Sequence, residues 1–312
     1  MTSTVSAIPA LSCYTTNLIA YLEPDLPDVR RRLADATRLA VRTDLPAGEL
    51  AFSQHDRIDR SGRGWQLGYR GAASWPAARA ALAAELAAHG RVLAVANTAY
   101  LPWSPAADAP QAPHWVLIEG GGPDRWLVTD HLTALVGGGE QLPFAGWLAD
   151  SVVAHLLTAP LLPAVETIRR DAYALGSLVP LPQAAHYRWL AREPELPDRP
   201  EPGAWLREPV AVLRLLADRL SADPAMLTRH TDDLWAAGRH HQHRMHVRTG
   251  ELPTDATALD AAWTGLPRAL RFAADSAARN RPRPGLVVRA FDQLIDAVVA
   301  GPTAATAIPD ED

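Results

Sequence analysis

Three residue types that support nucleophilic catalysis occur in the first half of the chain. Cys13 is the single cysteine in 312 residues, and His114 and Asp130 follow about a hundred residues later. The thiolate is the reactive form of cysteine, and an imidazolium beside it favours that form. A carboxylate next to the imidazole orients the ring and stabilises its charge. We therefore consider these residues as candidate nucleophile, base and orienting group.

The thiol is predicted to lie at the start of a helix. Residues 13–22 place Leu18, Ile19 and Leu22 on one apolar stripe, and Ser12 can cap the N-terminus. A helix N-terminus carries partial positive charge, which favours an anion there. This position suits a reactive cysteine.

The imidazole and the carboxylate are predicted to lie on the two strands of a hairpin. Two apolar segments flank a glycine-rich turn, at 114–119 and 125–130. The register that sets Val116 opposite Val128 also sets His114 opposite Asp130, on the same face of the hairpin. His131 is a second candidate partner for the thiol, but continuation of the strand would point its side chain to the opposite face.

The remaining pattern predicts an α+β fold. Further helices are predicted over 28–41, 76–89, 145–158, 164–175, 183–192, 208–221, 224–246, 256–275 and 285–300, with a buried strand over 91–97 and a surface loop over 53–64. We expect a small antiparallel sheet in the N-terminal half and a mainly helical C-terminal half. The predicted divisions are a domain over 1–160, a helical domain over 161–300 and a disordered tail over 301–312.

Composition limits the function classes. The net charge is −5, the pI is about 6.1, and all the basic residues are arginine, so neither a basic nucleic-acid footprint nor lysine chemistry is predicted. One cysteine leaves no intramolecular disulfide, which makes a cytoplasmic location the expectation. No apolar run approaches the length of about 18 residues that a membrane span needs, so no membrane association is expected.

Three segments around the proposed site resemble a known family. The residues are the run 92–103, which ends in Tyr100-Leu101-Pro102-Trp103, and then 114–118 and 127–130. Over about residues 8–160 the chain resembles the N-terminal domain of the butirosin biosynthesis protein H family. That family is related to papain-like and C39-type cysteine peptidases.

This resemblance implies a papain-like N-terminal half and cysteine-dependent acyl transfer. Cys13 would take an acyl group from a carrier-protein thioester, His114 would be the base and Asp130 the orienting group. The acyl group would then pass to an amine of a small-molecule acceptor in natural-product biosynthesis. The partner would be an acyl or peptidyl carrier protein whose phosphopantetheine arm holds the substrate, and no metal or organic cofactor is needed.

Two alternatives remain open at this stage. A thioesterase or cyclase would resolve the same acyl-cysteine with water or an internal nucleophile. A non-catalytic relative would only bind the carrier. Ser12 occupies the position at which family members often have histidine, and no glutamine precedes Cys13 to form an oxyanion hole.

Other residues are assigned supporting roles. The oxyanion would be bound by backbone N–H groups at the helix start or by a polar side chain. The candidates for oxyanion or substrate contact are Asn17, Asn97, Gln54, Tyr100, Trp103 and Trp115. The two tryptophans flank the predicted site and are candidates for lining a substrate pocket.

A cluster of histidine and arginine lies in the predicted helix 224–246 and just beyond it. The residues are His240, His243 and His246 at intervals of three, with Arg239, Arg244 and Arg248. No further ligands accompany the histidines, so we predict no metal site. We interpret the segment as a solvated or carrier-facing helix and hypothesise that its arginines dock an acidic carrier protein.

Overall fold

A computed structural model describes residues 10–60, 62, 64–105, 110–136, 139–161, 163–183, 185–197, 201–248 and 256–300. The described helices are α1 (Cys13–Leu22), α2 (Val29–Ala36), α3 (Trp75–His89), α4 (Asp150–Leu156), α5 (Val165–Tyr173), α6 (Pro209–Ala222), α7 (Pro224–Val247), α8 (Ala256–Ala278) and α9 (Pro284–Ala300). The described strands are β1 (Thr37–Arg42), β2 (Ala51–His55), β3 (Trp65–Ala72), β4 (Val92–Asn97), β5 (Pro113–Gly121), β6 (Arg125–Asp130), β7 (Ala134–Val136), β8 (Gly139–Gln141), β9 (Phe144–Ala149), β10 (Tyr187–Pro194) and β11 (Trp205–Leu206). The fold is mixed α and β with antiparallel sheets.

The central feature is a six-stranded antiparallel sheet with the order β3-β10-β4-β5-β6-β9. Helices cover both of its faces. Leu18 and Leu22 of α1 pack with Trp115 and Leu117 on one face, whereas α3 and α4 pack with alternate residues such as Val116 on the other. Because both faces are covered, β4 is buried along its whole length, as its unbroken apolar sequence predicts.

The predicted helix over 183–192 is wrong, because residues 187–194 form β10 inside this sheet. β10 pairs with β3 along all eight of its residues and with β4 on its other side. Its buried segment, Trp189 to Ala191, is short and apolar, and periodicity alone does not separate a buried strand from a buried helix in such a run. Hydrogen bonding to β3 on one side and to β4 on the other favours the strand over the helix for this segment.

Other element boundaries also need correction. The predicted helix over 28–41 ends at Ala36, and its second part is the strand β1. The predicted helix over 145–158 begins instead as β9, followed by α4. The loop prediction for 53–64 missed the end of β2. The helices α1 and α3 match their predicted ranges to within one residue.

The hairpin of β5 and β6 pairs two residues away from the predicted register. Ile118 lies opposite Val128, and a bulge between Ile118 and Gly120 shortens the turn. A shift of two residues keeps every side chain on its original face, because side chains alternate with a period of two. His114 and Asp130 therefore still share a face, as diagonal neighbours instead of directly opposed ones.

The second core lies in the C-terminal half. Helices α6 to α9 pack around it, and residues of β1 and β2, such as Val41 and Phe52, complete it. A three-stranded sheet of order β11-β1-β2 borders this core. A domain boundary at residue 160 would separate β10 from the central sheet and would also separate β1 and β2 from the helices that they contact. The tail over 301–312 lies outside the described residues.

None of the helices in the described residues combines the length and the apolar character that a bilayer-spanning segment needs.

Candidate active site

Cys13 is the first residue of α1, and Ser12 caps the helix as predicted. The Ser12 hydroxyl accepts a hydrogen bond from the Thr15 N–H at 3.3 Å, and the Ser12 carbonyl accepts one from Thr16 N–H at 2.9 Å. The Cys13 thiol is half-buried, and the residue lines a cavity. The N–H groups of Cys13 and Tyr14 also belong to the first turn, where an α-helix offers no acceptor, so these two remain for an anion at this position.

His114 and Asp130 form a buried pair beside this thiol. The imidazole Nε2 lies 2.8 Å from Asp130 Oδ2, and the two side chains are only 3% and 0% exposed. Cys13 and His114 line the same cavity, and the sulfur is close enough to the ring for its negative charge to raise the pKa of His114. Since Nε2 faces the carboxylate, Nδ1 is the ring nitrogen that remains for the sulfur. The structure therefore brings together the three residues proposed from the sequence.

The charges of the site favour a protonated imidazole. Burial acts to lower the pKa of His114, but the negative charges of Cys13 and Asp130 and the hydrogen bond with Asp130 outweigh it and raise this pKa to about 10. Burial acts to raise the pKa of Asp130, whereas the His114 charge and the surrounding donors lower it to about 2. At neutral pH the pair is thus imidazolium and carboxylate.

The Asp130 carboxylate is held by several donors. These are His114 Nε2 at 2.8 Å, Trp103 Nε1 at 2.8 Å and Gln141 Nε2 at 3.1 Å on Oδ2, with Asn17 Nδ2 at 3.1 Å and Leu132 N–H at 3.0 Å on Oδ1. A buried carboxylate with this many donors is fixed in position and stays ionised. It can therefore hold the imidazole in one orientation.

Asn17 is a positioning residue and not an oxyanion donor. Its fully buried Nδ2 donates to the Trp115 carbonyl at 2.7 Å as well as to Asp130, and its Oδ1 accepts from the His131 N–H at 3.0 Å. The amide thus ties α1 to β5 and to the end of β6. The sequence contained one sign of this role: Asn17 lies four residues after Cys13, on the same face of the helix.

Asn97 and Tyr100 are also placed away from the proposed oxyanion. Asn97 donates to Gln111 Oε1 at 3.3 Å and accepts from the Ala99 N–H at 3.1 Å, so its amide caps the short 3-10 helix Thr98–Tyr100. The Tyr100 ring stacks on His155, with centroids 4.0 Å apart. Neither residue lines the cavity that contains Cys13.

The two flanking tryptophans do not line that cavity either. Trp103 stacks on Phe144 with centroids 4.1 Å apart, and this contact orients its indole N–H towards Asp130. Trp115 is fully buried in the core, because it lies on the opposite face of β5 from His114, against Tyr14 of α1. The prediction that Trp115 contacts substrate is therefore wrong. His131, the second candidate partner, is exposed and takes part through its backbone.

A cavity of about 800 Å³ opens at Cys13, and both halves of the chain form its walls. Leu101 and Leu132 contribute from the side of the sheet, whereas Trp235 and Arg271 contribute from the helices α7 and α8. A cavity of this size is typical of sites for small organic ligands. Sequence reasoning missed the helical wall, because it depends on long-range packing.

Two glutamines lie near the site: Gln141 was not predicted from the sequence, and Gln54 was predicted only as one of several candidates. Gln141, which binds Asp130, is the last residue of the three-residue strand β8, which carries no sequence signal of its own. Gln54 lines the cavity, and its Nε2 donates to the Asp233 carbonyl at 2.9 Å. A glutamine amide has two N–H donors, so the amide can donate to a ligand in the cavity as well as to Asp233.

The helix with the histidine cluster, α7, is a packed element, so its interpretation as a solvated helix is wrong. His240 and His243 are fully buried, and α7 packs against α2 and α8. His240 bonds with the Thr15 hydroxyl, and His243 Nε2 lies 3.1 Å from the Arg30 carbonyl. Within the described residues, no group of three or more His, Cys, Asp or Glu side chains is arranged to hold a metal ion.

The three arginines of this segment do not form one surface. At 100° per residue, Arg244 and Arg248 lie 140° and 180° around the helix from Arg239. Arg244 reaches the Thr37 carbonyl and Arg248 lies 3.8 Å from Asp35, whereas Arg239 stacks on Trp235. These three residues therefore do not form the single patch that the hypothesis of carrier docking requires.

Neither a protein-family model nor a curated protein sequence matches this chain. The functional argument therefore depends on the geometry of the site.

Proposed function

We propose that this protein is a cysteine acyltransferase that forms an acyl-Cys13 intermediate. The observation that carries the proposal is the buried His114–Asp130 pair beside Cys13, at the wall of a cavity large enough for an acyl chain. An imidazolium that is stabilised by a carboxylate is the partner that a nucleophilic thiolate requires. The thiol also lies at a helix N-terminus, which adds to the same effect.

In the first half-reaction the Cys13 thiolate attacks the carbonyl carbon of a thioester donor. The new bond is between Sγ and that carbon, and the donor's sulfur leaves with a proton from the His114 imidazolium. Cys13 and Tyr14 line the cavity at the start of α1, and their first-turn N–H groups would stabilise the oxyanion. The products are acyl-Cys13, a free thiol and neutral His114.

In the second half-reaction a nucleophile from the cavity attacks the acyl-Cys13 carbonyl. The bond to Sγ breaks, and neutral His114 takes a proton from the nucleophile, which restores the thiolate and the imidazolium. We propose an amine as this nucleophile and a carrier-bound phosphopantetheine thioester as the donor. The order of elements supports this, since a cysteine helix precedes an antiparallel sheet that carries histidine and aspartate, as in papain-like acyltransferases.

The proposed setting follows from the same chemistry. The donor partner is an acyl or peptidyl carrier protein, the acceptor is a small molecule, and the reaction takes place in the cytoplasm as a step of natural-product biosynthesis. Every proton transfer is assigned to His114, so the mechanism uses no metal or organic cofactor.

The test is a product assay with short acyl-pantetheine thioesters and a panel of amines. We expect free pantetheine and amide to appear together with the unaltered protein and neither with Cys13→Ala or His114→Ala. Free acid without amide would favour a thioesterase, and an intramolecular product would favour a cyclase. Absence of thiol release with every donor would favour a protein that only binds the carrier.

A further inference from the structure

A second histidine, His55, lies in the wall of the same cavity and has no part in the mechanism above. It is the last residue of β2 and is 3% exposed. A buried imidazole that borders a cavity is a candidate for ligand contact, provided that one of its nitrogens is available.

The hydrogen bonds of His55 define which nitrogen is available. Nδ1 lies 2.8 Å from the Asp56 carbonyl, and a carbonyl only accepts, so Nδ1 carries the proton. Nε2 of the neutral ring is then an acceptor, and the ring makes no other hydrogen bond with the described residues. Burial lowers the pKa of His55, which keeps the ring neutral near pH 7.

Two contacts connect His55 to the first turn of α1. The His55 ring stacks on His240, with centroids 5.4 Å apart. His240 Nδ1 lies 2.7 Å from the Ala236 carbonyl, so its Nε2 accepts a hydrogen bond from the Thr15 hydroxyl at 3.0 Å. Thr15 is two residues after Cys13 and lines the cavity with it. His55 therefore faces the same space as the thiol.

We propose that Nε2 of His55 binds an N–H of the acceptor amine, so that the acceptor class is primary amines. This inference rests on the proposed acyl transfer. A lone pair in the cavity wall favours a ligand that brings an N–H over one that brings only acceptors, because the ring nitrogen would otherwise stay unpaired when the ligand displaces solvent. The proposed binding holds the nitrogen beside the acyl group before it attacks.

The transfer step explains why two N–H groups are needed. The nitrogen of R–NH2 attacks the acyl-Cys13 carbonyl, so the C–N bond forms and the C–S bond breaks. One amine proton passes to neutral His114, and the sulfur leaves as the thiolate. The other hydrogen stays covalently bonded to the nitrogen of the new amide and remains hydrogen-bonded to His55 Nε2 throughout. A secondary amine has one N–H and cannot supply both.

Two substitutions test the roles of the two ring nitrogens of His55 separately. His55→Asn places an amide N–H close to the position of Nδ1, so the bond to Asp56 can be kept while the acceptor at Nε2 is removed. His55→Gln places an amide oxygen close to the position of Nε2, so an acceptor can be kept. His186→Asn is the matched control, because His186 is exposed and lies outside the cavity.

The experiment is single-turnover decay of pre-formed acyl-Cys13 in water and in primary or secondary amines. We expect His55→Asn to slow decay by primary amines about tenfold or more, the loss that follows from one unmade hydrogen bond in a buried site. Formation of acyl-Cys13 and its hydrolysis should stay unchanged, His55→Gln should recover part of the rate, and His186→Asn should match the unaltered protein.

The outcomes that would contradict this inference alone differ from the outcome that would contradict the proposed function. Equal decay of the adduct by primary amines in His55→Asn and the unaltered protein would overturn this inference and leave the proposed function standing. The inference also fails if His55→Asn slows adduct formation, hydrolysis and aminolysis alike, or if secondary amines react as fast as primary ones. If the unaltered protein forms no acyl-Cys13, the proposed function fails first and this inference with it.

Discussion

At the scale of single residues, the site is organised around Asp130. Its carboxylate is fully buried, receives donors from five residues and holds the His114 ring by Nε2. Such a carboxylate acts through the imidazole: it fixes the ring's orientation and stabilises its charged form. Its effect should therefore be visible in the titration of His114.

We expect Asp130→Asn to lower the pKa of His114 from about 10, since it removes a negative charge and a charged hydrogen bond from the imidazolium. Cys13→Ala should lower it as well, because the sulfur charge contributes in the same direction. The measurement is an NMR titration of the His114 ring. An unchanged pKa in Asp130→Asn would contradict the electrostatic role given to this residue.

The same pair predicts a dependence of stability on pH. The His114 pKa is raised from 6.5, so its stabilisation is full below pH 6.5 and is lost as the pH rises through about 10. The Asp130 pKa is lowered from 3.8, so its stabilisation is full above pH 3.8 and is lost as the pH falls through about 2. The difference in unfolding free energy between the unaltered protein and Asp130→Asn should be largest at pH 3.8–6.5. Urea titrations across pH measure it, and a difference that grows towards pH 10 would refute the assignment.

The sequence identified the members of the site better than their supports. Cys13, His114 and Asp130 were recognisable because helix capping and strand alternation place them, and a register error of two residues preserves the face of a strand. Trp103 and Gln141 act on Asp130 from a loop and from a three-residue strand. Those contacts are set by tertiary packing, which local patterns do not encode.

At the scale of elements, Gly176 fixes the end of β2 that carries His55. Gly176 has φ of +91°, and a Cβ built there would lie 2.5 Å from the His55 carbonyl oxygen. The Gly176 carbonyl also accepts from the Ser53 hydroxyl at 2.9 Å. A side chain at this position would therefore displace the strand end.

Gly176→Ala should destabilise the protein by about 3 kcal/mol or more, since backbone strain adds to a clash with main-chain atoms. Gly90→Ala is the matched control: its φ of +72° is also left-handed, but nothing lies within 4 Å of the added Cβ. The control should cost only the strain, about 1–2 kcal/mol. Chemical denaturation of both variants measures the loss of unfolding free energy, and equal losses would show that the close approach to the His55 carbonyl does not add to the cost.

Prediction at this scale succeeded for the capped helices and for the buried strand β4, and it failed for the central strand β10. α1 has a serine cap, and α3 begins with proline and ends at Gly90, so both have clear boundaries. β10 is buried between two strands, which removes the alternation that identifies a strand. Its pairing partners are about a hundred residues away in sequence, beyond the reach of a local pattern.

At the scale of the whole molecule, an ion pair between two helices forms part of the helical wall of the cavity. Arg170 of α5 binds Asp233 of α7 through Nε to Oδ1 at 2.7 Å and NH2 to Oδ2 at 2.9 Å. Burial acts to raise the pKa of Asp233, but the Arg170 charge and the surrounding hydrogen bonds lower it. Both side chains line the cavity that contains Cys13, so this pair connects α5 and α7 within its wall.

Arg170→Met should cost about 3–5 kcal/mol of unfolding free energy, because it removes the arginine from the buried Asp233 carboxylate and leaves His230 as its remaining side-chain partner. The double variant Arg170→Met with Asp233→Asn should recover much of that loss, since the uncompensated charge is gone. Urea denaturation of the two variants provides the comparison. If the double variant is no more stable than the single one, the cost arises from lost packing and not from the buried charge.

The central claim is that Cys13 becomes acylated, and intact-protein mass spectrometry tests it most directly. The protein is mixed with one short acyl-pantetheine thioester, quenched in acid at successive times and compared with Cys13→Ala. The account predicts a single acyl adduct that maps to Cys13, forms more slowly in His114→Ala and is absent from Cys13→Ala. An adduct of equal yield on Cys13→Ala, or none on the unaltered protein with any donor, would contradict it.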